Sequence, residues 1–177
     1  YITSANIATG FHAGDPDWMA RTVSLTVENG VGIGAHPAYP DLGGFGRRNM
    51  DLTPDEVSNA VTYQVGALAA FAPARKLQHV KPHGALYNTS VRDADVAEAV
   101  VSAIKAFDPE LIHVVLAGSQ WEEIARNHGV RVARECYADR AVTPQGTLVP
   151  RSQPGAVIHE PEAVLDRSLK FATTGRV

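Results

Sequence analysis

The sequence predicts an α/β fold, an irregular (β/α) barrel, and three observations carry that reading. Short apolar runs alternate with helical patterns along the whole chain, which implies a parallel sheet. Each of the first three runs ends in a polar motif: Asn6-Ile-Ala-Thr-Gly-Phe-His12-Ala-Gly-Asp15, Ala35-His36-Pro-Ala-Tyr-Pro-Asp41 and Val80-Lys81-Pro-His83-Gly-Ala-Leu-Tyr-Asn88. Loops that repeatedly carry ionisable groups after strands converge on one site at the strands' carboxyl ends. An open, doubly wound sheet is the alternative. It gathers ligand contacts at its switch point, whereas polar motifs here follow nearly every strand, which favours the barrel.

The elements follow in order. Ile2-Thr3-Ser4-Ala5 opens a first strand. Asp15-Pro16 then starts a helix, Asp as N-cap and Pro at the first helical position, with Met19, Val23 and Val27 on one face and Gly30 as terminator. Val31 to Ala35 reads as a short buried strand whose glycines imply close approach of a backbone or ligand. The connection from His36 to Leu52 is long, as functional loops are.

Thr53-Pro-Asp-Glu56 is a capping box, and the helix it opens carries Val57, Val61, Val65, Leu68 and Ala72 on one stripe. Gln78 to Lys81 is the third strand. Asp93 caps a helix that buries Val96, Val100 and Ile104. Leu111 to Ala117 is the clearest strand, Gly118-Ser119 opens a helix ending near Gly129, and Val130 to Glu135 is a fifth strand. Cys136 to Arg151 is irregular, Gly155 to Ile158 is a candidate sixth strand, and Pro161 to Leu169 a closing helix.

Bulk properties bound the function. A chain of 177 residues, 45% hydrophobic and 20% charged, suits one globular domain. Its net charge of −3 argues against binding nucleic acid through phosphate contacts. No apolar stretch approaches the roughly 20 residues of a membrane span. The single cysteine, Cys136, cannot form an internal disulfide, so a cytoplasmic location is the default. The chain opens in a strand without Met and closes just after a helix, so a fragment of a longer barrel is expected.

Candidate site residues fall into clusters. Asn6, His12 and Asp15 form the first; Asp15 is already accounted for as a helix cap, while Gly10 and Gly14 leave room for a ligand beside His12. His36 directly precedes Pro37, which biases it to extended geometry, and a neutral imidazole there can accept a proton or ligate a metal. Asp41 either starts a turn or joins the site. Gly43-Gly-Phe-Gly-Arg47-Arg48 suits an anion such as phosphate or carboxylate. No Walker-type phosphate loop occurs.

Lys81 at a strand end is costly to bury unless paired or used, and its charge can hold a carboxylate or a developing oxyanion. His83 stands beside it, with Tyr87 and Asn88 in support. Glu135, Asp139 and Arg140 follow the fifth strand; Glu135 reads equally as a base or as an ion-pair partner of Lys81 or Arg140. Cys136, His79, His113, His128 and His159 read as core or surface residues. Three strand-end histidines with nearby aspartates also suit a mixed metal site, without any tight local ligand motif.

Taken together, these motifs, with Tyr63-Gln-x-Gly-Ala-Leu68, Glu135-x-x-Ala-Asp-Arg140 and Gly146-x-Leu-Val-x-Arg151, resemble the LamB/YcsF family over essentially the whole chain. Thr9 stands where the family pattern usually has Cys. The family's opening Asn-Ala-Asp-Leu-Gly-Glu strand and late Cys-Val-His-Gly-Asp segment are not in this chain. Residues 1–177 are therefore expected to form a single barrel-like domain lacking its first strand and C-terminal elements.

The resemblance implies a barrel of the glycoside hydrolase/deacetylase type. It also implies the A subunit of a bacterial ATP-dependent 5-oxoprolinase, which opens 5-oxoproline to glutamate together with B and C partner subunits. ATP with Mg²⁺ is the implied cofactor, and a tightly bound metal is left open. In the resulting assignment, His36, Lys81, His83, Glu135 and Asp139 are catalytic. Asn6, His12, Asp15, Asp41, Arg47, Arg48, Asn88 and Arg140 bind substrate or phosphate. A metal-dependent amide or ester hydrolase related to carbohydrate deacetylases, and a non-catalytic substrate-binding subunit, are the alternatives.

Overall fold

A computed structural model describes residues 2–143 and 146–175. Five parallel strands form one sheet in the order β1-β2-β3-β4-β5, from β1 (Ser4–Ala8) through β2 (Gly32–His36), β3 (His79–Val80) and β4 (Ile112–Leu116) to β5 (Arg131–Glu135). Spatial order equal to chain order means that every crossover steps the same way. With right-handed crossovers the helices then gather on one side and the sheet curls around the other. The result is a barrel-like α/β fold, as the motif pattern predicts. Among the described residues, β1 and β5 are not paired with each other.

The helices are α1 (Pro16–Glu28), α2 (Pro54–Ala69), α3 (Gly84–Arg92), α4 (Ala94–Phe107), α5 (Gln120–Asn127) and α6 (Pro161–Thr174). Most of their starts are chemically marked. Asp15 accepts from Trp18 N–H, Thr53 and Glu56 complete the capping box, and the Asp93 and Ser119 side chains cap α4 and α5. One apolar layer holds Val57, Val61, Val65 and Leu68 of α2 with Val100 and Ile104 of α4 and Ile33, Ala35, Val80 and Val115 of the sheet. No helix is long and apolar enough to cross a membrane among the described residues.

Three details depart from the sequence reading. On α1 the buried stripe is Met19, Val23 and Thr26, while Val27 is half-exposed. The segment after His83 is a helix, α3, which buries Ala85, Leu86, Tyr87, Ser90 and Val91. Gly155 to Ile158 does not add a sixth strand to the sheet; Val157 makes an isolated antiparallel bridge with Arg140, and Val142 another with Leu148.

Strand alternation sorts the side chains. Ile33, Ala35 and Val80 pack towards the helices, so Gly34, His36, His79 and Lys81 face the other, concave side. A Cβ on Gly34 would collide with the His79 ring and one on Gly32 with the Gln78 amide, so these glycines make room for neighbouring side chains. His79 in turn meets Asn6 of β1, Nε2 to Oδ1, at 2.8 Å.

Candidate functional site

At the strands' carboxyl ends, three loops bring three histidine rings into contact. His36 closes β2, His83 precedes α3, and His12 lies in the loop between β1 and α1. His83 Nδ1 is 3.0 Å from His36 Nε2. The His12 and His83 rings stack, with centroids 3.9 Å apart and planes 8° from parallel, and the His36 ring meets both edge-on. His36 Nδ1–H donates to the Lys81 carbonyl, and His83 Nε2–H donates to the Phe45 carbonyl at 2.9 Å. A carbonyl can only accept, so both tautomers are set by the backbone.

Burial holds all three rings neutral. It pushes His36 down to about 3 and His12 to about 4, where a proton on neighbouring His83 would oppose a second charge, and it lowers His83 as well. These are imidazoles at neutral pH, with lone pairs to offer.

Beside them the Lys81 ammonium pairs with Glu135. The Tyr137 hydroxyl donates to the second Glu135 oxygen at 2.7 Å. The Tyr87 and Tyr137 rings flank the ammonium at 5.9 and 5.5 Å. Burial, with the Glu135 carboxylate nearby, pushes both phenols up, so they stay protonated. His36, His83, Lys81 and Tyr137 line one cavity of about 590 Å³, joined by Arg47, Arg140 and Arg151. Its cations suit an anionic ligand, and its neutral imidazoles, with the Glu135 carboxylate held behind Lys81 and Tyr137, suit proton transfer.

The LamB/YcsF family model matches residues 1–177. The chain belongs to the LamB/YcsF family. Among its relatives, the 5-oxoprolinase A subunit of Syntrophobacter fumaroxidans is 58% identical over 176 residues, covering 98% of this chain and 70% of the relative. The protein of the same name from Pyrococcus furiosus is 57% identical over 179 residues, with 100% and 70% covered. The crystal structure of a lactam utilization protein from Thermus thermophilus superposes with a TM-score of 0.91 at 50% identity. It matches 99% of this chain and 72% of its own.

Within this LamB/YcsF chain the remaining sequence-predicted residues are placed as follows. Asn88 lines the cavity. Arg140 also lines it, but its guanidinium is buried and donates to the carbonyls of Ala156 and Val149, which ties the irregular segment together. Asp41 is buried and binds Arg48 and the Gly44 N–H, so this pair shapes the 36–52 loop from within. The Arg48 guanidinium beside it holds the Asp41 carboxyl below its usual value. Arg47, by contrast, reaches the cavity and lies over the Phe45 ring.

Asp15 is exposed and engaged in capping α1. Asn6 lies within β1, against His79, and not in the loop. Asp139 follows β5 without being among the residues that line the cavity.

Two contributors escape the sequence reading. Tyr137 is two residues beyond Glu135, the spacing that returns a side chain to the same face of an extended chain. Gln64 is fully buried on α2, and its amide clamps Ala38: Ala38 N–H donates to Oε1 at 2.9 Å, and Nε2 donates to Ala38 O at 2.8 Å. The Thr9 hydroxyl donates to the same Oε1 at 3.0 Å, so one amide ties the first two histidine loops to α2. A polar residue inside an otherwise apolar helical stripe was the available signal.

Proposed function

We propose that this chain acts as the A subunit of an ATP-dependent 5-oxoprolinase, opening 5-oxoproline to glutamate with B and C partner subunits. The observation that carries the reading is the cationic cavity, which Lys81, Arg47 and Arg151 line together with His36 and His83. The names of the relatives support it, as does the likeness to a lactam utilization protein. Both 5-oxoproline, through its carboxylate, and the terminal phosphate of ATP are anionic, and a site with several guanidinium groups accommodates both.

A lactam carbonyl is a poor electrophile. Transfer of the terminal phosphoryl group of ATP to that oxygen, with release of ADP, makes its carbon reactive. Water adds there, the ring C–N bond breaks as nitrogen takes a proton, and hydrolysis of the resulting acyl phosphate releases phosphate and glutamate. In this reading Arg47 and Lys81 hold phosphate and carboxylate, and His36 or His83 moves the proton. Glu135, fixed by Tyr137, orients water.

The test is glutamate formation from 5-oxoproline and ATP by the chain mixed with its partner subunits. Lys81→Ala and His83→Ala are each expected to lower turnover by about 10²-fold or more, the cost of removing one electrostatic or acid–base group. Wild-type turnover in both variants sinks the role assignments. Melting shifts with 5-oxoproline but no ATP hydrolysis in any subunit mixture would favour a purely binding role instead.

A further inference from the structure

We infer that His36, His83 and His12 form a binding site for one divalent transition-metal ion of the zinc, cobalt or nickel type. The hydrogen-bonded tautomers are the first reason. His36 spends its only N–H on the Lys81 carbonyl and His83 spends its own on the Phe45 carbonyl. The two nitrogens left bare, His36 Nε2 and His83 Nδ1, face each other at 3.0 Å with no hydrogen between them. Two lone pairs at that distance repel, and a positive species shared by both relieves the conflict.

A shared proton would serve these two nitrogens and nothing else. A metal ion also answers a third observation. His12 is only 3% exposed, and its Nδ1 has no hydrogen-bond partner. One nitrogen from each ring lies within 4.8 Å of the others, the one such cluster among the described residues.

The chemistry of the donors selects the ion. Zinc–imidazole bonds of about 2.0–2.1 Å place two tetrahedral ligands roughly 3.3 Å apart, close to the observed gap. Backbone carbonyls holding the remote N–H groups are the usual outer support of metal-bound imidazole. Three nitrogens and no carboxylate suit zinc-like ions over magnesium or calcium, which take oxygen ligands. The His12 ring is parallel to His83, so it completes the set only by turning about its Cβ–Cγ bond. His36 and His83 line the cavity, which leaves a further coordination position open to water or a substrate oxygen. With an ion bound, His36 and His83 act as its ligands and no longer as proton carriers; polarising the lactam carbonyl there rests on the reading given under Proposed function, and the binding itself does not.

The experiment uses tag-free protein stripped with a chelator. Titration with Co²⁺, followed by its visible absorption, is expected to saturate at one ion per chain, and Zn²⁺ to displace it. His36→Gln and His83→Ala, shown folded by circular dichroism, are each expected to weaken binding at least about tenfold, and His12→Ala less. His83 is only half-buried, so its variant serves even if His36→Gln unfolds.

No cobalt spectrum, or variants that bind like the parent, overturns the inference. Full ATP-dependent turnover by metal-free protein whose variants also bind no metal leaves the 5-oxoprolinase reading intact and removes the metal. Stoichiometric, histidine-dependent metal without 5-oxoproline turnover does the reverse.

Discussion

Lys81 and Glu135 join their side chains across the end of β4, although Lys81 follows β3 and Glu135 closes β5. Strands two apart in a sheet lie about 10 Å from each other, a gap that these two long side chains bridge from either side of β4. The pair lies mostly out of solvent, with side chains 16% and 19% exposed. Lys81→Met is expected to lower stability by about 1–3 kcal/mol, because the Glu135 carboxylate keeps its burial and its Tyr137 hydrogen bond but loses its charged partner. Urea unfolding of both single variants and the double variant should give a coupling of roughly 0.5–3 kcal/mol. Strict additivity would mean the pair does not act as a unit.

Gln64→Leu should be among the most damaging substitutions outside the cavity. It strips partners from the Ala38 N–H and C=O and from the Thr9 hydroxyl together. The expected loss is about 2–4 kcal/mol in denaturant unfolding, at the usual cost of a buried unpaired polar group. Turnover should fall as well, since the same amide positions the His12 and His36 loops. A variant with parental stability would show that the clamp is replaceable.

Acid sensitivity should trace in part to His113. Its ring is buried with neither nitrogen partnered, and burial, with a smaller contribution from His128, pushes it down to about 4. Between pH 6.5 and 4 the unfolded chain therefore takes up a proton that the folded chain refuses. Stability falls as pH drops through that window, by up to about 1.4 kcal/mol per pH unit, and this contribution is flat above it. His113→Leu should flatten that part of the pH–stability curve; an unchanged slope would exclude His113 as its source.

Gly34→Ala should destabilise the sheet by about 1–3 kcal/mol, because the added Cβ meets the His79 ring. His79→Ala in the same chain should recover part of the loss by vacating that space. Thermal melting of the three variants checks it, and no recovery would show that β2 itself resists the substitution.

The elements legible in the sequence are those with local signals. Asp15, Thr53, Asp93 and Ser119 each satisfy backbone N–H groups within three residues, so helix starts can be read from neighbours alone. Helix α3 has no such mark. His83 at its start makes no side-chain cap, and the helix is held by burying Leu86 and Tyr87. Val27 misleads for a related reason: which turn of α1 meets the sheet depends on the docking angle, and that angle buries Thr26. Asp41 and Arg48 were ambiguous because a residue type that binds anions or substrate equally serves to fold its own loop.

What the chain determined by itself is the alternation of strand and helix and the loops that carry its histidines, lysine and arginines. Both depend on propensity, capping and periodicity over a few residues. Tertiary structure alone decided that His36 meets His83 across 47 residues and Lys81 meets Glu135 across 54. Strand order, register and curvature set those meetings, and each arises from hydrogen bonds and packing between segments that no local pattern encodes.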